Sequence, residues 1–121
     1  MNSCETEIER GLREAVARET VGAPPNLAQA ISYAVFPGGA RVRPKLCLAV
    51  ADACSRTRST GVLSAAVAIE FLHCGSLVHD DMPCLDNAAL RRGRPSVHAA
   101  FASCATCVIF SWAAATMFFA M

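Results

Sequence analysis

The chain has 121 residues and a formal net charge of +1, enough for one small domain or part of a larger one, and with no basic excess that would argue for nucleic acid or an anionic surface as a partner. The N-terminal stretch MNSCETEIERGLRE is polar and acidic and lacks the basic, apolar, small-residue order of a signal peptide, so a cytoplasmic location is expected. Seven cysteines, an odd number at irregular spacing, argue against a disulfide framework and read as reduced, mostly buried small hydrophobes.

The pattern along the chain is helical throughout, and the expected fold class is all-α. From Glu5 to Glu19, Ile8, Leu12, Ala15 and Val16 recur at helical spacing with charges on the other face. Pro24-Pro25 stops that helix and starts a second, whose apolar side is Leu27, Ile31, Ala34 and Val35. Phe36-Pro-Gly-Gly39 is a break. A third helix starts near Pro44 and runs through KLCLAVADAC, and Ser55 to Gly61 is a polar loop. The fourth, Val62 to about Asp81, is apolar nearly all round and therefore reads as a central, buried helix.

That helix ends in LVHDDMPCLDN, where Asp80, Asp81 and Asp86 gather at a helix C-terminus. Negative charge there opposes the helix dipole and needs compensation. A solvated acidic helix end is the plain reading, and a bound cation is the sharper one, since Mg²⁺ takes hard carboxylate oxygens and keeps water or phosphate for its other positions. On an unbroken helix Asp80 and Asp86 would point about 120° apart. Pro83 favours a local break or bulge that could bring both to one ion.

Basic residues flank the acids. Arg91, Arg92 and Arg94 follow them, and Arg41 and Arg43 follow the glycine break. Guanidinium forks match phosphate oxygens in bidentate fashion, so carboxylates and arginines together describe a site for a metal–diphosphate group. For RRGRP alone, a solvated loop is the plain alternative. The neighbouring acids disfavour a nucleic-acid patch. His73 lies seven residues before Asp80 on nearly the same helix face; a lone histidine on an apolar helix is usually a core residue, and here the alignment with Asp80 favours a substrate-facing role.

FPGGARVRP, followed by EFLHCGSLVHDDMPCLDNAALRRGRPSVH, resembles the N-terminal part of a trans-prenyltransferase of the polyprenyl synthetase family, of the bacterial geranylgeranyl diphosphate synthase type, over about residues 12 to 101. The resemblance implies the N-terminal portion of the isoprenoid synthase helical bundle. It implies Mg²⁺-dependent condensation of isopentenyl diphosphate with an allylic diphosphate, farnesyl diphosphate giving geranylgeranyl diphosphate, in isoprenoid or carotenoid precursor synthesis. It also implies a homodimer in the full-length form.

By the same resemblance, Asp80 and Asp86 would be Mg²⁺ ligands of the first aspartate-rich motif, with Asp81 alongside. Arg91 would meet the allylic diphosphate, and Arg92, Arg43 and His73 isopentenyl diphosphate. Gly75 and Ser76, five and four residues before the first aspartate, would leave the product pocket open where a bulky aromatic stops growth at farnesyl length. Close packing against a neighbouring helix is their plain alternative. The family usually has Lys where Ala40 stands, and Arg41 is the neighbouring candidate for that charge. Ala88 and Ala89 stand where acids commonly follow the motif.

A second aspartate-rich motif has no counterpart in these 121 residues, and the resemblance stops after Phe101. The organisation expected is residues 1–101 as the N-terminal part of a polyprenyl synthetase domain and 102–121 as a divergent apolar tail. For the uncharged tail three readings stand open: a frameshifted or alternatively spliced end, a membrane anchor, or a buried helix. Its Cys104 and Cys107 form a C-x-x-C pair, but no second pair or nearby histidine completes a zinc site. The chain alone is expected to be inactive, the activity belonging to the full-length form. The alternative function is a non-catalytic helical partner that binds or regulates a complete synthase.

Overall fold

The computed structural model describes residues 3–36, 39–54 and 59–101. The apolar tail and its Cys104–Cys107 pair lie outside the described residues. The order is α1 (Ser3–Glu19), α2 (Pro25–Val35), α3 (Val42–Cys54), α4 (Thr60–Asp80), a two-stranded hairpin β1 (Leu90–Arg91) and β2 (Arg94–Pro95), and a short α5 (Val97–Phe101). The fold is all-α. α4 is its axis, packing against α1, α2 and α3, while α5 returns to α2.

The periodicity of α1 does what it predicts: Ile8, Leu12, Ala15 and Val16 are buried and join Ile31, Val35, Leu48, Ala66, Val67 and Phe71 in one core. Gly11 permits the close approach of α1 to α4, for a Cβ there would stand 2.9 Å from Val67 Cγ2 and 3.6 Å from the Leu63 side chain. Pro24 and Pro25 set the start of α2, where a proline ring presets helical φ and no amide donor is needed.

Two expectations are corrected. α4 is central but not buried all round: Ile69 is 40 % and Leu72 63 % exposed. They lie with Ser76 on a side of α4 that no described element covers, because α1, α2 and α3 pack on the remainder. Nor are the cysteines mostly buried. Among the described residues all are free, and only Cys74 is buried, with Cys54 and Cys84 exposed. Burial pushes the Cys74 thiol up to about 11, with the Glu70 carboxylate adding to the effect.

Arg41 is the unexpected core residue. Only 3 % of it is exposed, and its φ of +50° lies in the left-handed region that side chains normally avoid. Its carbonyl accepts the Lys45 N–H at the start of α3. Its guanidinium turns back into the core and donates to Glu9 of α1 at 2.7 Å, to Glu70 of α4 at 2.8 Å and to the Val35 carbonyl ending α2 at 3.1 Å. Burial alone would lower its pKa, but the bonds to Glu9 and Glu70 outweigh it and hold the group above its ordinary value. Arg41 therefore does not replace the cation missing at Ala40; its fork is spent inside the fold.

Arg41→Ala should strand the buried Glu70 carboxylate and cost about 3–5 kcal/mol in urea unfolding, whereas the double change Arg41→Met, Glu70→Leu should recover most of that loss. A single variant as stable as the parent would contradict the role given to the pair.

Candidate diphosphate site

α4 stops at Asp80, and the chain from Asp81 to Asn87 folds through successive turns, with Leu85 and Asn87 amides both donating to the Met82 carbonyl. Pro83 cannot continue the helix, and Asn87 adopts φ +48°, a conformation that asparagine tolerates better than most residues. The turns bring the Asp86 amide onto the Asp80 carbonyl at 3.1 Å. The break expected from Pro83 is present, and it sets the two exposed aspartates side by side along the backbone. The His79 Nδ1 stands 3.8 Å from the Asp80 carboxylate.

Asp81 faces the other way. It is buried, and the Arg91 guanidinium donates to both its carboxylate oxygens, Nε to Oδ2 at 2.6 Å and Nη2 to Oδ1 at 2.7 Å. This fork-on-carboxylate pair offsets the unfavourable charge at the helix end. Its bonds to Asp81, less a smaller burial effect, hold the Arg91 pKa above its ordinary value, and the charges of Asp80 and Asp86 add to the shift.

Arg91 also opens the hairpin. Leu90 pairs with Pro95 and Arg91 with Arg94 in antiparallel register, and the Ser96 amide closes the base on the Ala89 carbonyl at 2.9 Å. The turn between the strands is Arg92-Gly93, with φ +52° and +76°. Both are positive, as a primed two-residue turn demands. Glycine accepts this without cost, while Arg92 is held in a strained backbone conformation. The RRGRP run is thus a built turn, and the one sequence signal for it was an X-Gly pair between two extended dipeptides.

The strained turn aims Arg92 at the break after α2. A Cβ added to Gly39 would stand 2.7 Å from Arg92 Nη1, so the backbone there is bare for the guanidinium to lie against. Beneath it opens a cavity of about 250 Å³, lined on its polar side by His73, Asp81, Arg91, Arg92 and Arg94 and on its apolar side by Val35, Leu77, Val78 and Val97 among others. Arg43, exposed on the first turn of α3, is close enough to act on His73: partial burial, then the charge of Arg43, lowers the His73 pKa from its ordinary value, Glu70 opposing and Arg92 and Arg91 adding to the effect.

His73 and Arg92 therefore share a corner of the cavity, the charge of Arg43 reaches that corner, and the Asp80–Asp86 turn lies beyond Arg91. Gly75 and Ser76 do not line this cavity. Ser76 is exposed, its hydroxyl donating to the His73 carbonyl at 2.8 Å, on the uncovered side of α4 that runs from Asp80 past Leu72 to Ile69.

Comparison with known proteins identifies the family. Residues 24–120 match the Polyprenyl synthetase family. The chain belongs to that family. It is 53 % identical over 98 residues to a geranylgeranyl diphosphate synthase of Cereibacter sphaeroides, covering 80 % of this chain and 34 % of that protein. It is 50 % identical over 100 residues to the enzyme of the same name from Rhodobacter capsulatus, covering 82 % of this chain and 35 % of that protein. The chain thus spans about a third of the length of these curated relatives. Among solved structures, it superposes with a TM-score of 0.78 at 31 % identity on an isoprenoid synthase family member from Thermotoga neapolitana, over 99 % of this chain and 47 % of that one. Polyprenyl synthetase membership accounts for the all-α bundle, and the family match runs past Phe101 to residue 120.

With its folded pKa lowered, His73 is neutral in the folded chain where the unfolded chain already binds a proton. Stability should fall as pH drops through the ordinary histidine value of about 6.5, and His73→Gln should remove that part of the slope. Inorganic pyrophosphate placed in this corner should raise the His73 pKa. An NMR titration in which pyrophosphate leaves it unmoved would place the anion elsewhere.

Proposed function

We propose that the chain forms the diphosphate-binding part of a prenyltransferase of the geranylgeranyl diphosphate synthase type. The complete protein would condense isopentenyl diphosphate with an allylic diphosphate, farnesyl diphosphate giving geranylgeranyl diphosphate. The observation that carries this reading is the adjacency of two unlike charge sets: the Asp80–Asp86 turn, and the corner of Arg43, His73 and Arg92, with Arg91 between them. The relatives, which are geranylgeranyl diphosphate synthases, supply the substrate class. A cytoplasmic location and a homodimer of the complete protein belong to the same proposal.

The donor set fits Mg²⁺. Among the described residues no group of three His, Cys, Asp or Glu side chains stands ready to hold a metal alone. Two exposed carboxylates on one hydrogen-bonded turn suit an ion that commonly takes one or two carboxylates and fills its other positions with water and phosphate oxygens. Asp80 and Asp86 would hold it, and bound there it would supply positive charge to the diphosphate that leaves the allylic carbon. Asp81 has the separate task of holding Arg91 by its buried pair, which leaves Arg91 Nη1 for an allylic diphosphate oxygen. Arg92, Arg43 and His73 would bind isopentenyl diphosphate, the arginines as donors to its phosphates. The uncovered side of α4, from Asp80 past Ser76 to Leu72 and Ile69, offers an apolar path for a growing hydrocarbon, and Gly75 lies at its edge. An apolar wall there keeps water from the cation formed on ionisation.

A second reading, a non-catalytic partner of a complete synthase, draws support from the exposed Val42, Leu46 and Val50 along α3, a face of the kind that marks association. The two readings part on the aspartates, which only the first requires.

Isothermal titration of this chain with isopentenyl diphosphate should find Arg92→Ala weaker by about 10- to 100-fold, the loss of a charged hydrogen bond of roughly 1.5–3 kcal/mol, and Asp80→Ala and Asp86→Ala little changed. In the complete protein the aspartate variants should instead lose turnover at saturating substrate. The 121-residue chain, with one aspartate-rich run, should bind without condensing. Aspartate variants that keep full turnover would sink the metal assignment.

A further inference from the structure

The hairpin that carries Arg91 and Arg92 has only two residues in each strand, too few to hold a strained turn by ladder bonds alone. One side is pinned by the Asp81–Arg91 pair. The other side is pinned by Tyr33, a residue of α2 that neither the sequence motifs nor the proposed chemistry requires. Its hydroxyl donates to the Pro95 carbonyl at 2.8 Å, across 62 positions of sequence. The Arg94 guanidinium carbon lies 4.1 Å from the centroid of its ring. Phe101 of α5 packs edge-on against the same ring, with centroids 5.2 Å apart. One aromatic ring thus holds both residues of β2, and it lines the cavity itself.

We propose that Tyr33 is a positioning residue for diphosphate binding, clamping Arg94 and Pro95 so that the hairpin presents Arg92 at Gly39 in its strained conformation. The clamp has two separable parts. The hydroxyl fixes the strand backbone, and the ring face holds a cation that would otherwise swing into solvent. Arg92 itself has no comparable restraint in its own backbone, since φ +52° is a conformation it would leave if the strands parted. The effect of Tyr33 on the ligand passes through the hairpin. The proposal rests on the diphosphate reading of the site, and its test therefore has one readout that needs no ligand.

In the intact chain, Tyr33→Phe and Tyr33→Leu are compared by amide hydrogen exchange and by titration with isopentenyl diphosphate. Tyr33→Leu should speed exchange at the Ser96 amide, which closes the hairpin base, while the amides of α1 and α4 keep their protection. It should weaken binding by about five- to tenfold. Tyr33→Phe, which keeps the ring under Arg94, should fall between Tyr33→Leu and the parent in both readouts. Unchanged Ser96 exchange in Tyr33→Leu would overturn the clamp whatever the ligand does. Faster Ser96 exchange with undiminished binding would overturn its role in binding. Absence of binding in the parent would defeat the diphosphate reading instead, leaving the exchange result to decide whether Tyr33 holds the hairpin.

Discussion

The Arg41 guanidinium meets three helices at one point, and the placement of the site follows from that meeting. Removing a guanidinium and a carboxylate from water costs several kcal/mol per ion, which is recovered only when the geometry is good and the remaining donors are satisfied. Here three N–H groups find two carboxylates and a helix-ending carbonyl within 3.1 Å. The left-handed backbone at Arg41 turns the side chain inward just where the chain leaves the Gly39-Ala40 break and enters α3. Gly39 is thereby held at the mouth of the cavity, and Arg43, two residues on, is carried to the outer surface beside His73. Glu70, at the far end of the pair, is one turn from His73 on α4, so a single buried ion pair fixes both walls of the electropositive corner.

The charges of the site divide into two kinds. Arg41 with Glu9 and Glu70, and Arg91 with Asp81, are pairs that build the fold. Arg43, Arg92, Asp80 and Asp86 are exposed, with His79 Nδ1 3.8 Å from the Asp80 carboxylate, and none of the four is spent on a buried pair among the described residues. The division explains why so much acid and base gathers beside an apolar helix: part of it holds the framework that keeps the rest apart. Without such a framework Asp80 and Asp86 would attract Arg91 and Arg92, and the like-charged corner around His73 would have no reason to persist. The cavity between the two kinds of charge is apolar on its far wall, which strengthens every electrostatic interaction at its mouth.

Much of this was legible in the sequence. The apolar spacing in α1 gave a helix whose predicted core face is buried. In α2 Ile31 and Val35 are buried while Leu27 and Ala34 are half-buried against the core, and Pro83 with the following Asp86 gave the break that returns Asp86 to Asp80. Of the residues singled out for phosphate, His73 and Arg92 line one cavity, and Arg43 is near enough for its charge to lower the His73 pKa. What sequence could not give was the choice of partners. Arg41 stands among three basic residues in a motif that reads as phosphate-binding. Only the fold brings Glu9 and Glu70 to it from 32 and 29 positions away. Asp81 is identical in type to Asp80 and differs by one step of about 100° around the helix, enough to bury one and expose the other. The uncovered side of α4 was hidden for the opposite reason: a helix apolar all round gives no direction, so Leu72 and Phe71 look alike until α1, α2 and α3 choose a side. The hairpin was too short for any alternation, and Tyr33 carried no motif at all.

The site divides into two roles: a metal ion held by the Asp80–Asp86 turn would take one diphosphate, with Arg91, while the corner of Arg43, His73 and Arg92 would take a second without the metal. The most direct measurement is the affinity of the chain for inorganic pyrophosphate with and without Mg²⁺, repeated in an Asp80→Asn, Asp86→Asn variant. Mg²⁺ should strengthen pyrophosphate binding in the parent chain, and the variant should keep the metal-free affinity but lose the strengthening, as this division of roles requires. Equal affinity with and without Mg²⁺ in the parent, or full strengthening in the variant, would contradict it.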